Sequence, residues 1–76
     1  MWEITDLETA VLVAIPQTGA RDLALLQAVA TEEGASQQTV RLALESLHRH
    51  GAVIRLDGMS WRTARGRDAA GKRSAA

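Results

Sequence analysis

The chain of 76 residues has no cysteine, no tyrosine, no phenylalanine and a single proline. Without thiols it can hold neither a disulfide framework nor a thiolate metal site, so packing alone must stabilise it, and an intracellular, cytoplasmic setting is expected. Its two aromatic residues are Trp2 and Trp61. The core must then be built from Leu, Val, Ile and Ala, which favours helices and leaves little to stack against a base or a cofactor ring. Long apolar runs are missing too. The longest, from Ala10 to Ile15, falls far short of the ~20 residues that span a bilayer, so no membrane partner is expected. Glu3 and Asp6 stand where a secretory leader would be basic. A chain this short buries only roughly 60% of its unfolded surface, which argues against a large enzyme fold with a deep cleft.

Net charge is absent as well, with nine basic and nine acidic residues. That zero hides a division. Through Gln38 the acids Glu3, Asp6, Glu8, Asp22, Glu32 and Glu33 face Arg21 alone, a balance of −5. From Thr39 onward Arg41, Arg49, Arg55, Arg62, Arg65, Arg67, Lys72 and Arg73 face Glu45, Asp57 and Asp68, a balance of +5. Such asymmetry points to an anionic partner for the second half.

Thr5 with Glu8 three residues later is a capping box, so a first helix should begin at Asp6. Leu7, Ala10, Val11 and Ala14 recur at buried-face spacing, which turns Leu12 and Val13 outward. Pro16 ends the helix. Gln17 to Ala20 reads as a turn. A second helix runs from about Arg21 or Asp22 to Glu33 with Leu23, Leu26, Val29 and Ala30 on one face, and Gly34 supplies its left-handed stop. Ser36 caps a third helix, to about His50, whose stripe is Val40, Ala43, Leu44 and Leu47. The period then falls from 3.6 to 2. Val53 to Leu56 and Met59 to Arg62 form a hairpin about Asp57-Gly58, a pair suited to a type I′ turn. Leu56 should pair with Met59 and Ile54 with Trp61 on an apolar, inward face, leaving Val53, Arg55, Ser60 and Arg62 opposite. Residues 64–76 show no apolar periodicity and read as a flexible basic tail. One compact unit, residues 2–63, is expected: mainly α with a small β-hairpin.

The segment from Val29 to Leu44 resembles a helix-turn-helix. Ala30 is small where two helices cross, Gly34 allows the tight turn, Ser36 caps the next helix, and Val40 and Ala43 pack it back. With the hairpin added, residues 2–63 resemble the three-helix winged helix-turn-helix family found in many small bacterial and phage regulators. The resemblance implies a sequence-specific, double-stranded DNA-binding protein, a transcriptional regulator with no catalytic activity, whose third helix (36–50) enters the major groove. Gln37, Gln38, Thr39 and Arg41 then occupy base-contacting positions, where Gln suits adenine and Arg suits guanine. Arg49, Arg55, Arg62, Arg65 and Arg67 become phosphate contacts that fix register without reading sequence. A homodimer is expected, because one short helix samples few base pairs, and Leu12 and Val13 are its candidate interface unless Trp2 or the tail folds over them.

Leu42 and Glu45 fall in the middle of the would-be reading face, the wing tip Asp57-Gly58 is acidic, and overall neutrality limits nonspecific affinity. An alternative is therefore a winged-helix module that binds another protein through Leu42, Glu45 and Arg49, an exposed apolar residue among charges. A further alternative has the acidic first half binding a basic protein. His48 and His50 lie about 200° apart on a helix and cannot share a metal. No nucleophile-base pair, phosphate-cradling loop or cofactor site is recognisable.

Overall fold

The computed structural model describes residues 2–75, with side chains through Gly71. In chain order the elements are α1 (Asp6–Ala14), β1 (Ala20–Arg21), α2 (Asp22–Glu33), α3 (Gln37–Arg49), β2 (Val53–Leu56), β3 (Met59–Arg62) and α4 (Ala64–Ala75). The fold is mainly helical with a small antiparallel sheet of order β1-β3-β2. Val11, Leu12, Ile15, Leu26, Val40, Leu44, Leu47 and Val53 form the centre of the core.

Local chemistry sets the helix ends as expected. The Thr5 hydroxyl accepts from the Glu8 N–H at 3.1 Å while the Thr5 N–H donates to Glu8 Oε1 at 2.8 Å, so two orphan donors are satisfied at once. Gly34 ends α2 at φ 66°, ψ 30°, and Ala35 N–H donates back to the Ala30 carbonyl at 3.0 Å. Ser36 Oγ accepts from Thr39 N–H at 3.1 Å and starts α3. All four stripe residues of α3, Val40, Ala43, Leu44 and Leu47, are buried.

The faces of α1 and α2 differ from the periodic reading. On α1 the buried residues are Glu8, Val11 and Leu12, Ala14 is exposed, and Leu7 and Ala10 are only partly covered. Leu12 is fully buried, so it cannot serve as an exposed dimer interface. The cause is α4, which packs on α1. Residues 64–75 are thus a docked helix rather than a flexible tail, and the compact unit extends beyond residue 63; Ala76 and the Lys72 and Arg73 side chains lie outside the described residues. Thr63 launches α4: its N–H donates to the Ala52 carbonyl at 3.0 Å, its hydroxyl donates to the Gly51 carbonyl at 2.6 Å, and the same oxygen accepts from Gly66 N–H at 3.1 Å. Small residues make the contact. A Cβ at Gly66 would overlap the Ala52 carbonyl oxygen and stand 3.2 Å from Leu12 Cδ2, and Ala70 is buried. On α2, Leu23 is 67% exposed and Leu25 takes its place in the core.

The hairpin has the expected register, Leu56 with Met59 and Ile54 with Trp61, and Asp57 (φ 53°) and Gly58 (φ 74°) both adopt the left-handed region that a type I′ turn requires. Its faces are inverted. Val53 and Ser60 point into the core, whereas Ile54 and Leu56 are 57% and 62% exposed. What turns the polar face inward is Asp22, whose carboxylate accepts from Ser60 Oγ and from Arg55 Nη2, both at 2.8 Å. Asp22 N–H also donates to the Gly58 carbonyl at 2.9 Å, so the first turn of α2 grips the hairpin tip. Residues 20–21, read as the end of a turn and the start of α2, form β1 instead and pair with Ser60 and Met59. Trp61 stays opposite Ile54 on the outer side, and its Nε1–H donates to the Thr18 carbonyl at 3.2 Å. A side chain at Gly19, which sits at φ 90°, would overlap that indole.

Candidate nucleic-acid interface

Burying one stripe of α3 leaves the other side of the helix free. Gln37, Gln38, Thr39, Arg41, Leu42, Glu45, His48 and Arg49 are all exposed, which places the four expected base-contacting residues together along the first turn and a half. They are not equivalent. The Thr39 and Ser36 hydroxyls lie 2.9 Å apart in a hydrogen bond, so Thr39 is partly committed to the helix cap. Gln37, Gln38 and Arg41 are the freer donors. Leu42 is 55% exposed beside them, and Glu45 follows one turn later, as the helical wheel indicated.

The five expected phosphate arginines separate into three groups. Arg49 is exposed in the last turn of α3, where a cation also complements the helix dipole. Arg55 and Arg65 are engaged within the fold. Arg55 is ion-paired with Asp22 at 2.8 Å with only 26% of its side chain accessible, so it has a structural role in the fold. Arg65 Nη1–H donates to the His50 carbonyl at 3.2 Å, tying α4 to the end of α3. Arg62 and Arg67 line a cleft of about 190 Å³ with Pro16 and Gln17. They form no ion pair among the described residues.

Asp22 is the acid that Arg55 engages. Burial alone would raise its pKa, but the hydrogen bonds from Arg55 and Ser60 and the charges of Arg55 and Arg41 outweigh it and hold the carboxyl below its usual range. The Arg41 charge on the exposed face of α3 thus also acts on Asp22. Glu8 is held low in a similar way. Its burial is outweighed by hydrogen bonds from Ser46 and Thr5 and by the charge of His50.

The ring of Trp2 stacks on that of His50 at 4.5 Å and 9°, and His50 Nδ1 is 2.8 Å from the Ser46 carbonyl. Nothing local in either sequence neighbourhood announces this pairing between the second and the fiftieth residues. Among the described residues no cluster of three or more His, Asp or Glu is placed to hold a metal, and no helix is long and apolar enough to cross a membrane. Of the candidate protein-interface residues, Leu12 is lost to the core, whereas Val13, Leu42 and Glu45 remain exposed. No protein-family model, curated protein or solved structure matches this chain.

Proposed function

We propose that the protein binds double-stranded DNA through α3, as a small regulator of transcription whose basic half meets the phosphates. The observation that carries this is the uncovered row of Gln37, Gln38 and Arg41 on a helix whose opposite stripe is fully packed. A helix presented in this way fits a major groove, and its side chains suit adenine and guanine edges. Arg49 at the far end of the helix, with Arg62 and Arg67 on the β3–α4 segment, supplies cations for the backbone that form no ion pair among the described residues. With Arg55 withdrawn into its ion pair the cationic footprint is small, so affinity for generic duplex should be modest and should fall with salt along a shallow slope, set by the few counterions those arginines release.

The test is fluorescence anisotropy on a labelled duplex of roughly 20 base pairs, long enough for one reading helix and its flanking phosphates. Binding should be measurable at ~50 mM salt and fall as salt rises, and on a duplex that carries a preferred site Arg41→Ala should weaken it about tenfold, the worth of one good base contact. No detectable binding at that salt would falsify the proposal. Selection from a random-sequence duplex pool then asks whether a preferred site exists. DNA binding of this kind does not require a homodimer, and light scattering at high micromolar concentration decides that question separately.

A second function, docking of another protein on the same face, is favoured by one observation, the 55% exposure of Leu42 at the centre of α3. An apolar side chain ringed by Arg41, Glu45 and Arg49 suits a protein hot spot better than a phosphate backbone. Leu42→Ala distinguishes the two functions: on this account it abolishes partner capture and leaves duplex binding intact.

A further inference from the structure

A groove between α1 and α2 draws on neither α3 nor the sheet. Its volume is about 320 Å³, its floor includes Ala10 and Val29, and it is lined also by Val13, Asp6, Glu32 and Glu33. Small side chains make it: Ala10 leaves room between the helices, Val29 is almost wholly buried at the base, and Val13 is 62% exposed at the lip. The volume sits at the bottom of the roughly 300–1,000 Å³ range of small-molecule sites. It is a footprint for a few side chains.

Charge decides which side chains. Glu32 and Glu33 occupy the last turn of α2, which contains no base. That is the negative end of the helix dipole, where carboxylates are disfavoured and cations favoured. Among the described residues neither glutamate has an ion-pair partner. An apolar trough with two uncompensated carboxylates at the wrong end of a helix is complementary to apolar residues flanked by Lys or Arg. We propose that this groove docks a basic amphipathic helix of a partner protein, which lays an apolar stripe over Val13 and Val29 and sets its cations against Glu32 and Glu33. The mode is a helix in a groove. Since no residue of α3 takes part, the groove can be occupied whether or not α3 binds DNA, and the two proposals fail separately.

The experiment uses the full chain, isotope-labelled, titrated at ~50 mM salt with a synthetic peptide of ~18 residues, about five helical turns. The peptide carries one Leu stripe with Lys on both flanks. A control peptide keeps the stripe and replaces each Lys with Glu. Saturable amide shifts at Ala10, Val13, Val29, Glu32 and Glu33 with the Lys peptide alone are the expected result. The double variant Glu32→Gln/Glu33→Gln, at exposed positions that leave the fold intact, should weaken that binding about fivefold, the effect of two surface charge pairs. Equal binding of the Glu peptide, shifts centred on Ile54 and Leu56, or no saturation up to ~1 mM, the weak limit of specific binding, would each overturn the proposal. So would the same shifts appearing on concentrating the chain without peptide, which would make the occupant a second copy.

Discussion

Gly66→Ala tests the docking of α4, because two physical effects give it opposite signs. In an unsupported helix the change should stabilise by about 0.8–1.0 kcal/mol, the helix-propensity difference between the two residues. At Gly66, however, the new methyl would overlap the Ala52 carbonyl oxygen and press on Leu12 Cδ2. That carbonyl is held in turn by Thr63 N–H, so it cannot yield without loosening the start of α4. Overpacking of this kind costs about 1–3 kcal/mol, and release of α4 instead would uncover Leu12, a loss of about 1.5–3 kcal/mol. Subtracting the propensity gain leaves a net destabilisation of roughly 0–2 kcal/mol, towards the upper end because the atom overlapped is a backbone oxygen. Gly71 is the internal control. It lies in the same helix with nothing within 4 Å of its would-be Cβ, so Gly71→Ala should stabilise or be neutral. Urea denaturation followed by tryptophan fluorescence measures both, and a melting shift of roughly 4–8 °C per kcal/mol is expected for a domain of this size. If both substitutions stabilise equally, α4 does not dock on α1 and the account of Leu12 burial is wrong.

Acid should destabilise the fold through Glu8 and Asp22. Both carboxyls sit below their unfolded-state pKa, so their contribution is present above the unfolded carboxylate range and is lost as pH falls through the folded values; urea midpoints from about pH 7 to about pH 3 should show the decline, less steep in Glu8→Gln. The turn is testable at Gly58, where φ is 74° and space is open: Gly58→Ala should cost about 1–2 kcal/mol from backbone strain alone, whereas Asp57→Asn should be near neutral, both read from chemical denaturation. Arg55 and Arg41 should part company. Arg55→Ala should lower stability with little change in duplex affinity of the folded fraction, and Arg41→Ala the reverse; equal losses of affinity by anisotropy would return Arg55 to the interface.

The sequence makes legible whatever depends on neighbours along the chain. The capping box at Thr5, the left-handed stop at Gly34, the Ser36 cap and the α3 stripe each need residues no more than a few positions apart, and each stands as expected. So does the pairing register of the hairpin, which its two-residue turn dictates. The exposure of Gln37, Gln38, Arg41, Leu42 and Glu45 follows from that stripe. The direction each element faces was less legible. Ser60 turns inward because Asp22, 38 positions earlier, accepts a hydrogen bond from its hydroxyl. Leu12 turns inward because Gly66, 54 positions later, lets α4 come close. The basic end looked disordered because its contact face consists of Gly and Ala, which bury well at close approach yet leave no strong hydrophobic signal. The ion pair of Arg55 is hidden for the same reason as the burial of Ser60: charge is visible in sequence, but its partner is not.

The Asp22 clamp has a consequence for dynamics. Because one residue holds Arg55, Ser60 and the Gly58 carbonyl together, the hairpin and the first turn of α2 cannot open separately. Their amide protons should exchange with solvent as a single cooperative unit. Whatever partner meets α3 and the hairpin therefore encounters a surface already ordered, loses little chain entropy on docking, and cannot rely on a swinging wing to adapt to a target of the wrong shape.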